Sequence, residues 1–329
     1  MGGRLERKIG RLLIVGFRGA TLDDCGPIAG QIRSGQVGGV VLYDFDDQTR
    51  TPGRNIRSPE QVRALVSDLH GLASGFLLVG IDQEGGRVNR LKGEYGFPPT
   101  LSQQELGRGR VDATGRHAAG IGATLRRLGI DVNFAPVVDV DVNPQSPAIG
   151  AYGRSFSDDP SVVADHARAA IEGYHEGGVL TAIKHFPGHG SADTDSHRGF
   201  VDITGTWSKA ELDPYRLLVG DRMADMVMTA HVFHQELDPQ WPATLSPAII
   251  TGILRDQLGF AGVVVADDLQ MGAIADRYEL ETALRQALLA GVDLLMFANN
   301  NGRAYEPDIV PRVIATIASL VHDGVIAED

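Results

Sequence analysis

Val179-Leu180-Thr181-Ala182-Ile183-Lys184-His185-Phe186-Pro187-Gly188-His189-Gly190 is the stretch from which the fold can be read. Its first half is a short, apolar, β-rich run of the kind that forms a buried strand. The run ends in a cation and an imidazole, and Pro187, Gly188 and Gly190 then break regular structure. Continued to His197, the segment gathers His185, His189 and His197 with Asp193 and Asp195. Loops lie at the surface, so packing does not account for such a cluster, and a merely solvated polar loop is the weaker reading.

The same grammar recurs along the chain. Strand-like runs are expected at 12–17, 37–43, 76–82, 131–137, 179–185, 226–231, 262–267 and 293–298. Amphipathic stretches lie near 22–34, 59–74, 103–128, 160–177, 208–221, 247–258, 279–290 and 307–322. Ser58-Pro59 and Asp159-Pro160 place a capping residue before a helix-starting proline, and Gly129 and Gly177-Gly178 follow helix ends. Strand-like runs each followed by a helix-like run predict a (β/α)₈ TIM barrel occupying 1–329 as one domain. A doubly wound open sheet is the alternative. It would want a glycine fingerprint after the first strand, and Gly16-Phe17-Arg18-Gly19 lacks that spacing.

A barrel places chemistry at the C-terminal strand ends. The polar residues fall there: Asp82, Glu84 and Arg90 after the third run, Asp139 and Asp141 with Arg154 after the fourth, and Lys184-His185 at the fifth. His231, Asp267-Asp268 and Asn299-Asn300-Asn301 follow the sixth, seventh and eighth.

Composition narrows the function. With 30 basic against 42 acidic residues the net charge is −12, which disfavours a nucleic-acid or anionic-membrane surface and favours a soluble protein with a small neutral or localised-charge ligand. The single cysteine, Cys25, excludes an internal disulfide and a four-cysteine zinc site. Neither a signal core nor a membrane-length apolar run is present, so a cytoplasmic location is expected. Metal ligation by the loop histidines is the weaker chemistry, because Pro187 and Gly188 remove any helical face from His185 and His189; neither metal nor cofactor is expected.

Glycoside hydrolysis fits better. It needs a leaving-group acid and, in a retaining enzyme, a carboxylate that attacks the anomeric carbon. Asp267 ends the stiff run Gly262-Val263-Val264-Val265-Ala266 and shares a strand side with Val263 and Val265, so it is the candidate nucleophile; Asp268 is expected to cap a helix instead. His197 lies two residues after Asp195, near enough for the carboxylate to orient the imidazole as acid/base. Glu84 is expected to brace the Gly85-Gly86 turn.

Lys184-His185-Phe186-Pro187-Gly188-His189-Gly190 with Asp195-Ser196-His197 resembles the signature of glycoside hydrolase family 3 β-N-acetylhexosaminidases. Asp82-Gln83-Glu84-Gly85-Gly86-Arg87-Val88, Phe134-Ala135-Pro136-Val137-Val138-Asp139-Val140 and Asp267-Asp268-Leu269-Gln270-Met271 are similar to further stretches of that family, in the same order. The resemblance implies a retaining barrel enzyme with Asp267 as nucleophile, His197 as acid/base and Asp195 as its partner. It also implies sugar binding by Asp82, Arg90, Arg154, Lys184 and His185, and a terminal β-linked N-acetylglucosamine as substrate. Gln270 and Ala266 depart from the residues common at those positions, which leaves substrate detail open. The second α/β domain that many family 3 β-glucosidases carry is not expected, so the site must be completed by the histidine loop, which glycines leave free to swing. Phosphorolysis, a β-glucosidase specificity and a degenerate sugar-binding site remain as alternatives. Oligomeric state is not legible, and cell-wall fragments, chitin oligosaccharides and trimmed glycans all stay open as substrates.

Overall fold

The computed structural model describes residues 3–302 and 304–328, which form an eight-stranded parallel sheet curled into a barrel. Its strands are β1 (Leu13–Gly16), β2 (Gly39–Leu42), β3 (Leu78–Ile81), β4 (Val132–Asn133), β5 (Leu180–Phe186), β6 (Met226–Thr229), β7 (Val263–Ala266) and β8 (Leu295–Phe297). Each pairs with its sequence neighbour, β1 also pairs with β8, and a parallel bridge between Val265 and Leu294 closes the ring. An open doubly wound sheet would leave two free edges, so that alternative is excluded.

The strands form where expected because alternation sorts their side chains into two compartments. Ile14, Val41, Leu78, Met228, Val265 and Met296 fill the barrel lumen. Their neighbours Val15, Val40, Val79, Val227, Val264 and Leu295 face the surrounding helices. Each fully buried aliphatic side chain contributes roughly 1.5–3 kcal/mol on transfer from water. Gly80 leaves the lumen space that the Phe134 ring occupies: a Cβ there would stand 2.6 Å from Phe134 Cε2.

Helices α1 (Ile28–Arg33), α2 (Pro59–Leu72), α3 (Val111–Leu128), α4 (Pro160–Glu176), α5 (Asp213–Gly220), α6 (Ala248–Gln257), α7 (Leu280–Ala290) and α8 (Ile309–His322) alternate with the strands. The Ser58 side chain accepts from Gln61 N at α2 and the Asp159 side chain from Ser161 N at α4, each beside a first-turn proline. Gly129 closes α3 at φ 80°, the left-handed conformation that favours glycine.

Two boundaries differ from expectation. The helix expected over 103–128 is two, Gln103–Gly107 and α3. Gly107 presses on Phe156, whose carbonyl oxygen would meet a Cβ at 1.8 Å, and Gly107 and Gly109 both weaken helix propensity at the join. β4 is shorter than the run at 131–137 because Pro136 offers no N–H to the ladder. A helix at Arg4–Gly10 precedes β1. Among the described residues no helix is long and apolar enough to cross a membrane.

Candidate active site

The C-terminal strand ends surround a cavity of about 380 Å³, within the usual size of small-molecule sites. Asp82, Arg90, Arg154, Lys184, His185, His197 and Asp267 all line it, so the structure brings together every lining residue that the sequence nominated; Asp195 stands behind His197. Lys184 and His185 are consecutive, yet both face the cavity, across a cis peptide bond.

An alternating chain of charge crosses the cavity floor. Lys184 Nζ donates to Asp82 Oδ1 at 2.7 Å and lies 2.8 Å from Glu84 Oε1. Arg154 grips Glu84 bidentately, Nε to Oε2 at 2.8 Å and Nη2 to Oε1 at 2.7 Å. Arg154 Nη2 also reaches His185 Nε2 at 3.2 Å, and His185 Nδ1 donates to Asp139 Oδ2 at 2.7 Å. Burial pushes the Glu84 carboxyl up, but Arg154 and Lys184 outweigh it and hold the acid well below its ordinary range. Burial likewise pulls Lys184 down, and Asp82 and Glu84 reverse the balance to a net rise. These charges are therefore fixed before any ligand arrives, which is the condition for electrostatic preorganisation.

Glu84 does not brace the glycine turn with its side chain. The turn closes through its own backbone, Glu84 N and Gly85 N both donating to Val88 O, while the carboxylate serves as the buried counter-ion of two cations. Nor does Asp268 cap a helix: its carboxylate accepts from Gln270 N at 3.1 Å and Ala298 N at 3.0 Å, tying the end of β7 to the end of β8. Burial, first, raises the Asp268 carboxyl to about 7. Asp267, on the lumen side of the alternation, moves the other way. Burial raises it, but His231, His185 and His197 together bring it below its ordinary value. Adjacent carboxyl groups are thus pushed apart in acidity, with Asp267 the more acidic of the two.

The loop after β5 folds over the site. His197 Nδ1 donates to Asp195 Oδ1 at 2.8 Å, which leaves Nε2 to carry the exchangeable proton. The His197 side chain keeps 61% of its surface exposed, so it sits at the mouth. Enclosure there works against protonation, yet the Asp195 bond and the nearby Asp267 charge give a net rise. Asp195 itself is raised by burial and then brought down by His197 to about 2. Between the pair, Ser196 turns inward: its hydroxyl meets His189 Nε2 at 3.2 Å and its carbonyl accepts from Ala273 N at 3.1 Å. The three histidines, His185 at the end of β5 and His189 and His197 in the loop, contact different partners (Asp139, Ser196 and Asp195) and do not converge on one point.

Sequence reasoning gave no role to Asp139, whose Oδ1 accepts from both His185 N and His189 N, nor to His231, whose ring Nε2 donates to the Asp268 carbonyl at 3.0 Å. It also passed over Tyr43, Asp44 and Lys92, which line the cavity. For Tyr43 and Asp44 the signal was available, since both sit at the C-terminal end of β2, where the barrel rule looks for chemistry.

Comparison with known proteins agrees with this geometry. Residues 4–329 match the glycosyl hydrolase family 3 N-terminal domain. The chain is 38% identical over 291 residues to a β-hexosaminidase of Alkalilimnicola ehrlichii, covering 85% of this chain and 77% of that one. It is 35% identical over 306 residues to a β-hexosaminidase of Nitrosomonas eutropha, covering 89% and 82%. A family 3 β-N-acetylglucosaminidase structure from Paenibacillus sp. superposes with TM-score 0.89 at 34% identity, over 99% of this chain and 60% of that one. The β-N-acetylhexosaminidase of Beutenbergia cavernae superposes with TM-score 0.86 at 29% identity, over 99% and 96%. The chain belongs to glycoside hydrolase family 3 and is a glycoside hydrolase.

Proposed function

We propose that the protein is an exo-acting β-N-acetylhexosaminidase that removes terminal β-linked N-acetylglucosamine with retention of configuration. The relatives' names support the substrate. The observation that carries the mechanism is the His197–Asp195 pair at the mouth of a cavity that holds an ionised Asp267.

Asp267 Oδ attacks the anomeric carbon while Nε2 of protonated His197 gives its proton to the departing oxygen. A glycosyl–aspartate ester and a free alcohol result, and His197 is left neutral. Esterification removes the Asp267 charge, one of the two that favour His197 protonation. The lower imidazole pKa then keeps His197 neutral, the form that can take a proton from the incoming water. Water attack regenerates Asp267 and protonated His197. The Asp82, Lys184, Arg154 and His185 groups supply donors and acceptors to sugar hydroxyls and the acetamido oxygen.

A slow fluoro-glycoside with a good leaving group tests the scheme. The label is expected on the peptide containing Asp267, and Asp267→Asn should abolish both labelling and turnover while the fold persists. A label on Asp268 or Glu84 would overturn the assignment. A panel of aryl β-glycosides differing at the 2-position, run with and without phosphate, separates this reading from β-glucosidase and phosphorylase action.

A further inference from the structure

At the end of β2 the cavity holds a carboxylate with no role so far. The Asp44 side chain is 1% exposed, and neither of its oxygens accepts a directed hydrogen bond. Lys92 Nζ stands 2.5 Å from Oδ2 and Arg90 Nη1 3.8 Å from Oδ1, and all three residues line the active-site cavity. A buried acceptor that has charge neutralisation but no directed donor is incompletely satisfied. Its backbone explains why it stays in place: the Asp44 carbonyl accepts from Gly53 N at 2.6 Å, pinning it to the root of the short hairpin formed by Phe45–Asp46 and Thr51–Pro52.

The Asp44–Lys92 pair repeats the chemistry of Asp82–Lys184: a carboxylate and an ammonium side by side, able to accept from and donate to one hydroxyl. Ring order says which end of a sugar meets it. β3 lies diametrically across the barrel from β7, and β2 is next to β3. A sugar with its anomeric carbon at Asp267 therefore turns its far edge, with the 4- and 6-hydroxyls, toward the ends of β2 and β3.

We propose that Asp44 and Lys92 form a second hydroxyl-reading corner that binds the 4- or 6-hydroxyl of the terminal sugar. This rests on the exo-hydrolase reading above. The corner makes the non-reducing end part of specificity: a chain continuing from the 4-position would replace a hydroxyl donor with an ether and leave Asp44 unsatisfied.

The test is a cycle between protein and substrate. Aryl β-N-acetylglucosaminide and its 4-deoxy and 6-deoxy analogues are assayed with wild type, Asp44→Asn and Lys92→Gln. Losing a hydrogen bond to a charged group is expected to lower wild-type kcat/KM about ten- to hundredfold for one deoxy analogue. Each variant should show a similar loss on the parent substrate and little further loss on that analogue. Lys92 is partly exposed, so Lys92→Gln keeps the cycle usable should Asp44→Asn fold poorly. If the variants lose the same factor on all three substrates, Asp44 merely anchors the loop and the proposal is wrong. If wild type turns over none of them, the failure belongs to the hydrolase reading instead.

Discussion

Asp195→Ala separates orientation of the acid/base from its mere presence. In the structure Asp195 Oδ1 accepts from His197 Nδ1 at 2.8 Å and from His197 N at 3.0 Å, so it fixes both the tautomer and the ring. A hydrogen bond to a charged group contributes roughly 1.5–3 kcal/mol. His197 is 61% exposed, so solvent screens the pair and the low end applies. About 1.5 kcal/mol corresponds to about a tenfold fall in kcat/KM on a natural disaccharide. His197→Ala sets the ceiling, since general acid/base help is worth about 10²- to 10⁴-fold. A dinitrophenyl glycoside needs little protonation at its leaving oxygen, so its kcat/KM should fall far less in both variants. The pH profile supplies a second readout. Asp195 raises the His197 pKa, and in the proposed mechanism protonated His197 is the form that donates; without Asp195 the alkaline limb of kcat/KM should then move to lower pH. Equal losses for the two leaving groups, or an alkaline limb that stays in place, would show that another group gives the proton.

Two further variants probe the buried charges. Glu84→Gln leaves Lys184 and Arg154 without their shared counter-ion and should cost about 3 kcal/mol of stability in denaturant titration near neutral pH. Because the folded Glu84 pKa is depressed, that stabilisation is present above its ordinary value of 4.5 and lost below it, so the gap between wild type and variant should narrow in acid. Glu211 is the opposite case: buried against the histidine-bearing loop, where its carboxylate accepts from Ser191 N, it is pushed by burial up to about 7. Between 4.5 and 7 the folded state holds a proton that the unfolded state has released, so stability declines as pH rises through that window. Glu211→Gln should therefore gain on wild type by up to roughly 3 kcal/mol at pH 8 relative to pH 5; a pH-independent difference would refute the assignment.

How much of this was legible depended on the range of the interaction. β7 was readable because a run of apolar residues and a period of two are local facts, and the same parity placed Asp267 in the lumen. The dyad was readable because Asp195 and His197 are two residues apart. Glu84 was misread for the complementary reason. Its partners lie 70 and 100 positions away, so the nearest visible feature, the glycine turn, attracted an explanation that the turn's own backbone already supplies. Asp268 was misread in the same way: a helix start follows, but the N–H groups that claim its carboxylate belong to Gln270 and to Ala298, just past the end of the next strand.

Asp139 shows what such long-range contacts add once the barrel has formed. Its Oδ2 orients His185, which Arg154 meets on the cavity floor, while its Oδ1 holds the backbone N–H of His189 at the root of the histidine-bearing loop. Burial raises this carboxyl and the His185 and His189 contacts bring it below its ordinary value, so it is ionised where both sets of bonds need an acceptor. His189 in turn meets the Ser196 hydroxyl, and Ser196 separates Asp195 from His197. One fully buried carboxylate therefore joins the charged cavity floor to the Asp195–His197 pair through two hydrogen-bonded steps. Glycines at 188 and 190 would leave such a loop free to bend, but here His189 N is held by Asp139 and the Ser196 hydroxyl meets the His189 ring, so the loop is tied to the floor at two points. In the proposed mechanism, positioning of the proton donor and positioning of the sugar become a single mechanical problem, because both lead back to Asp139.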